Sequence, residues 1–117
     1  MSDEKINYLE LPSKDLTKTK QFFSAVFNWQ FVDYGPEYCS FSKETGMDGG
    51  FYLSNKIAST DSGSVLVVFY SEDLAAIASK IVDNGGDIVQ EIFEFPGGKR
   101  FHFTDVTGNE FAVWSDK

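Results

Sequence analysis

The sequence predicts an α+β domain built from two βαβββ modules in one chain, its strands forming a curved mixed sheet around an open cleft. Three observations predict it. The order strand, helix, three short strands occurs twice. Both predicted helices open on an Asp-Leu pair, Asp15-Leu16 and Asp73-Leu74, 58 residues apart. That same offset aligns the flanking strand segments, and two copies of 58 nearly fill the 117 residues. Residues 1–117 therefore read as a single domain, with one repeat at about 5–55 and the other at about 63–115.

The elements follow in order. Ile6–Leu11 alternates weakly and reads as a strand that Pro12 and Ser13 end. Asp15 is the predicted N-cap of a helix to about Phe27, with Leu16, Thr19, Phe23, Val26 and Phe27 on one face. Trp29–Tyr34, Tyr38–Phe41 and Phe51–Ser54 read as three short strands, divided by Gly35-Pro36 and a polar loop through Gly46. Lys56–Gly63 is the predicted link between modules. Ser64–Tyr70 is a β-branched and aromatic strand, and a second helix then carries Leu74, Ile77, Ile81 and Val82 on one face. Gly85-Gly86 closes that helix. Ile88–Phe95, Lys99–Asp105 and Glu110–Trp114 complete the second module around turns at Pro96-Gly97-Gly98 and Thr107-Gly108-Asn109.

Composition excludes several function classes. Eighteen acidic against ten basic residues give a net charge of −8, the reverse of a nucleic-acid footprint or an anionic-membrane anchor. No apolar stretch approaches a membrane span. Met1–Lys5 carries no basic region followed by an apolar run, which argues against a secretory leader. The lone Cys39 cannot form an intrachain disulfide, which points to the cytoplasm, and it reads as a small buried hydrophobe. Twelve Phe residues require a large core, a lined pocket or a covered interface.

Strand alternation assigns the faces. Phe101, Phe103, Phe111 and Val113 are expected against the second helix, and Leu9 and Leu11 against the first. Val65, Val67 and Phe69 follow the same rule. The opposite, open face then carries Tyr8, Glu10, Tyr52, Ser54, Leu66, Val68, Tyr70, Arg100, His102, Thr104, Glu110, Ala112 and Trp114. Rings mixed with a few polar groups suit a small-molecule cleft. The ligand-binding candidates are Tyr8, Glu10, Tyr52, Leu66, Tyr70, Arg100, Ala112 and Trp114. His102 is the candidate catalytic acid or base, beside Glu10 or Glu110. Its plainer role is a strand His donating to a neighbour. Arg100 suits a carboxylate or phosphate, or a place on the rim. Asp105 is expected to cap the turn that follows it.

Three segments carry a resemblance. Leu9-Glu10-Leu11-Pro12-Ser13-Lys14-Asp15-Leu16 and Phe22-Phe23-Ser24-Ala25-Val26-Phe27-Asn28-Trp29 resemble the first half of a vicinal oxygen chelate module. Phe103-Thr104-Asp105-Val106-Thr107-Gly108-Asn109-Glu110-Phe111 is similar to that superfamily's closing turn and last strand, with Val106 in place of the usual Pro. The superfamily contains glyoxalases, bleomycin-resistance proteins and ring-cleaving dioxygenases. The resemblance implies paired βαβββ modules over nearly the whole chain, and a homodimer that completes its clefts. It also implies a divalent metal held by His, Gln or Glu from the first and fourth strand of each half. Carried over by position, those sites fall on Tyr8, Ser54, Leu66 and Ala112, a set without good ligands. No metal residues are assigned and no cofactor is expected, although a displaced metal around His102, Glu10 and Glu110 is conceivable. The resemblance thus implies a metal-free small-molecule binder. The alternatives are a lyase, isomerase or dioxygenase-type enzyme using a displaced metal or His102, and a non-catalytic dimerisation or interaction module.

Overall fold

A computed structural model describes residues 3–117. Met1 and Ser2, where the segment read against a leader begins, lie outside the described residues. The first module runs β1 (Leu9–Ser13), α1 (Leu16–Phe27), β2 (Phe31–Asp33), β3 (Tyr38–Phe41) and β4 (Gly49–Leu53). The second runs β5 (Val67–Tyr70), α2 (Leu74–Asp83), β6 (Asp87–Phe95), β7 (Gly98–Thr104) and β8 (Glu110–Ser115). Each module is one four-stranded mixed sheet, in the orders β1-β4-β3-β2 and β5-β8-β7-β6. First and last strands pair parallel, and the other pairs are antiparallel. Among the described residues, no helix is long and apolar enough to cross a membrane.

The repeat is visible atom by atom at the two strand-to-helix turns. The Ser13 hydroxyl accepts from the Asp15 N–H at 3.2 Å, and the Ser71 hydroxyl accepts from the Asp73 N–H at 3.1 Å. Asp15 and Asp73 then cap their helices, accepting from the N–H groups of Lys18 and Ala76 at 3.0 Å each. These caps satisfy donors that the first helical turn leaves free, so both helices begin where the sequence places them. Asn28 ends α1 in the left-handed region at φ 60°.

Strand boundaries depart from expectation. β1 includes Pro12 and Ser13 rather than ending before them. Leu9 donates to Asp48, and Ser13 accepts from Ser54, so the odd-numbered residues of β1 bond β4. The missing N–H of Pro12 therefore falls on the strand's free edge, where no ladder partner is lost. β5 starts only at Val67, which leaves Val65 79% exposed instead of packed against a helix. Val82 is also exposed, and Phe22 joins the buried stripe of α1 in addition to the residues expected there.

The closing strands show a larger difference. The offset of 58 carries Ser13 to Ser71, but β4 and β8 are related by 62. Glu10 lies opposite Gly50 while Val68 lies opposite Ala112, so Ala112 corresponds to Gly50 and not to Ser54. Ser54 sits beyond the end of β4. The extra length lies in the β6–β7 hairpin, whose strands of 9 and 7 residues replace strands of 3 and 4.

The two modules share one core. Phe23 is fully buried and meets Phe51 of the first sheet at 5.3 Å and Phe111 of the second at 5.5 Å. Phe27 stacks on Phe69 at 4.3 Å, and Phe22 approaches Phe103 at 6.3 Å. The helix-facing surfaces of both sheets thus close on the same aromatic cluster, which accounts for most of the Phe content.

A buried polar clamp joins the modules at the turn after β7. Asp105 bends the chain by accepting from the N–H groups of Thr107 and Asn109, as the sequence suggests. The fully buried Asn109 amide then donates to the Pro12 carbonyl at 2.6 Å and accepts from the Ala58 N–H at 2.8 Å. One side chain thereby ties β1, the linker and the turn before β8. Asn109→Ala strands both backbone groups away from water, at about 1–3 kcal/mol for each unsatisfied group. Chemical denaturation of this variant is expected to show a loss of about 2–4 kcal/mol. A loss below about 0.5 kcal/mol would sink the clamp.

Candidate functional site

The sheet faces turned away from the shared core carry the predicted site residues, but in two separate groups. The first group lies on the outer face of β1, β4 and β3. Tyr38 of β3 pairs with Tyr52, and Ser40 pairs with Gly50. A side chain on Gly50 would collide with the Tyr38 hydroxyl, so this glycine lets the phenol lie across the sheet to β1. There Tyr38 donates to Glu10 at 3.0 Å, and the Tyr8 hydroxyl lies 2.7 Å from it. Partial burial, followed by the hydrogen bonds with Tyr8 and Glu10, holds the Tyr38 phenol protonated far above its usual range. Around these groups the face is concave, with a volume of about 600 Å³ walled by Tyr8, Val32, Tyr34, Tyr38, Glu44 and Asp48. A smaller groove of about 410 Å³ runs from Tyr8, Glu10 and Tyr52 to Ser64 and Val65.

Tyr38, Ser40 and Gly50 are absent from the sequence-derived candidates. The signal was present: Cys39 and Phe41 are apolar and buried, so Tyr38 and Ser40 alternate to the opposite face. Cys39 is fully buried, and burial pushes its thiol up, as suits the small-hydrophobe reading.

The second group lies on the outer face of β7 and β8. His102 pairs with Ala112, Arg100 with Trp114, and Thr104 with Glu110, so alternation sorted this hairpin correctly. The face is less open than expected. His102 is 6% exposed and Ala112 is fully buried. The Phe93 ring lies 6.1 Å from the imidazole, and the linker reaches Glu110 through the N–H and hydroxyl of Thr60, each at 2.8 Å. Leu66 is half-buried just before β5. Tyr70 is exposed, crosses Trp114 edge-on at 5.2 Å and donates to Asp116.

Hydrogen bonding fixes the imidazole. Its Nδ1 lies 2.8 Å from Glu110, and its Nε2 lies 3.0 Å from the Arg100 guanidinium. A guanidinium only donates, so Nε2 accepts and Nδ1 carries the proton toward Glu110. Both ring nitrogens are engaged. Burial works to raise the Glu110 carboxyl, but the bonds from His102 and Thr60 outweigh it and hold the group below its ordinary value. Arg100 also lies over the rings of Phe93 at 5.5 Å and Phe95 at 5.9 Å, with its Nε buried and unpartnered among the described residues.

Hydrogen bonds of Tyr8, Tyr38 and Glu10 stay within the first sheet, and those of Arg100, His102 and Glu110 stay within the second sheet and the linker. Glu10 and His102, paired in one sequence reading, belong to different groups. By the observed register, the positions corresponding to the superfamily's ligands are Tyr8, Gly50, Leu66 and Ala112. Three of these have no side-chain donor atom. Among the described residues, no three His, Cys, Asp or Glu side chains form a group able to hold a metal ion.

This architecture defines a paired-βαβββ protein, and the comparisons give its family. The chain belongs to the Glyoxalase/Bleomycin resistance protein/Dioxygenase superfamily, whose sequence pattern matches residues 5–113. Among solved structures, it is similar to a glyoxalase-related enzyme from Fulvimarina pelagi, with a TM-score of 0.78 at 16% identity over 96% of this chain and 88% of that one. The genomically encoded fosfomycin resistance protein of Listeria monocytogenes aligns with a TM-score of 0.77 at 19% identity over 99% and 96%. The lactoylglutathione lyase of Agrobacterium tumefaciens aligns with a TM-score of 0.70 at 15% identity over 97% and 95%. At these identities the likeness shows the fold alone. No curated protein matches the chain.

Glu110 titrates lower in the fold than its ordinary 4.5, so its contribution is present above that value and lost as pH falls through the folded one. Asp105, raised chiefly by burial, acts in the opposite sense: its share is full below its ordinary value and lost as pH rises. Because Asp105 is common to both proteins, the difference between wild type and Glu110→Gln isolates Glu110. The variant is expected to lose about 1–3 kcal/mol at neutral pH and to show a shallower decline below about pH 4.5. Parallel stability curves by urea denaturation would refute the assignment.

Proposed function

We propose that this chain binds a small organic molecule on the outer face of its first sheet, without the divalent metal of its enzymatic relatives. The observation that carries this reading is the concavity lined by Tyr8, Tyr34 and Tyr38 beside Glu44 and Asp48. Its volume is that of a small-molecule site, and its mixture of rings and a few fixed polar groups is what such sites use to orient a ligand. The metal-free part rests on Gly50, Leu66 and Ala112 at the ligand positions, where a borderline cation would find no donor. Arg100, Tyr70 and Trp114 would act from a second copy. Within one chain the two outer faces are separate, and a homodimer that brings one against the other would give each cleft its second wall.

The His102–Glu110 pair favours the enzymatic alternative, because a carboxylate-oriented imidazole is the usual form of an acid–base catalyst. The Arg100 guanidinium on its other nitrogen weighs toward a structural role. Metal analysis of the purified protein, with thermal shifts against Zn²⁺, Ni²⁺, Mn²⁺ and Fe²⁺, tests the metal-free reading. The expected result is substoichiometric metal and no shift above that of buffer salts. Stoichiometric metal whose stabilisation disappears in His102→Gln would overturn it and favour the enzyme. Native mass spectrometry is expected to detect a co-purified or added organic ligand that Val32→Trp, which fills the concavity, no longer retains.

A further inference from the structure

The lining of the first outer face has one consistent polarity. Tyr38 has a single hydroxyl proton and gives it to Glu10 at 3.0 Å. The Tyr8 hydroxyl, 2.7 Å away, therefore donates to the Tyr38 oxygen. The open end of this chain is the Tyr8 oxygen, which has lone pairs to offer and no proton. Tyr8 is 43% exposed and lines the concavity. Glu44 and Asp48 line the same concavity, and neither joins an ion pair among the described residues. No Lys or Arg lines it; its other polar groups are Gln30, Ser40 and Ser42, which both donate and accept. The rings of Tyr34 and Tyr38 stand 6.4 Å apart at 56°, and Val32 supplies an apolar surface.

We propose that this face takes an organic cation: an amidinium, guanidinium or ammonium group carried on a flat apolar body. The assignment rests on the small-molecule reading above and deepens it. A ligand rich in N–H donors suits the Tyr8 oxygen and the carboxylates that line the same concavity. A carboxylate ligand would instead face acceptors and like charge. Tyrosine faces attract a cation through the ring quadrupole and cover the apolar body with the same atoms. The net charge of −8 draws cations toward the chain at low salt. Arg100, the half-buried cation of the outer faces, lies on the other sheet between Phe93 and Phe95 and does not line this concavity.

Three probes of nearly the same shape separate charge from fit: benzamidine, benzamide and benzoate. Isothermal titration and amide NMR shifts of the intact chain are expected to rank benzamidine tightest, by about tenfold or more over benzamide, with benzoate weakest. The preference should shrink as salt rises. The double variant Glu44→Gln, Asp48→Asn should weaken benzamidine several-fold and leave benzamide unchanged. An unaltered melting temperature in the variant shows that folding is intact. If benzamide or benzoate binds as tightly as benzamidine, the cation assignment falls and the small-molecule reading stands. If none of the three perturbs residues of this face, both fall.

Discussion

Asn109 is the contact on which the arrangement of the two modules depends. Its amide is fully buried and holds the Pro12 carbonyl with one end and the Ala58 N–H with the other. Neither partner has a ladder bond to fall back on, because Pro12 lies on the free edge of β1 and Ala58 lies in the linker. The consequences run outward. With Ala58 fixed, the linker carries Thr60 to Glu110. Glu110, held by Thr60, orients His102, and His102 in turn engages Arg100. A turn that resembles a family motif in the sequence is thus the mechanical centre of the second outer face. Asp105 supports it from behind with its contacts to Thr107 and Asn109.

The same repeat yields two unlike faces, and the cause is length. Both modules share the Ser-x-Asp turn, the helix and the parallel pairing of first and last strands. They differ in the middle hairpin. In the second module the long β6 and β7 bring Phe93 and Phe95 alongside Arg100 and His102, and the outer face fills with its own side chains. In the first module the hairpin is short, and Gly50 stands where Ala112 stands in the second. The absent side chain lets Tyr38 lie down across the sheet, and the face beside it is concave. Duplication sets the frame, and a local difference of a few residues decides which half is open.

The sequence carried the helices, the duplication and most strand positions, because those rest on local signals. An Asp that caps a helix announces itself whatever lies around it. Alternation likewise assigned Phe101, Phe103, Phe111 and Val113 to the core without error. What escaped needed long-range information. Pro12 looked like a terminator because its tolerance depends on β1 being an edge strand. Ser54 was matched to Ala112 because a single offset cannot reveal that one hairpin is longer than the other. Tyr38 was overlooked because its role depends on a glycine in the neighbouring strand, and Asn109 because its partners are 97 and 51 residues away.

In both modules a carboxylate on the outer face sets the direction of a hydrogen-bond chain, and the two chains end in opposite senses. Glu10 accepts the hydrogen bond of Tyr38, so the first chain presents the lone pairs of Tyr8. Glu110 takes the His102 proton, so the second chain must be completed by a donor, and Arg100 is that donor with N–H groups to spare. One hydrogen-bond chain therefore ends in an acceptor, and the other ends in a donor. The orientation of a single proton on each carboxylate's neighbour thus sets the polarity at the end of each chain.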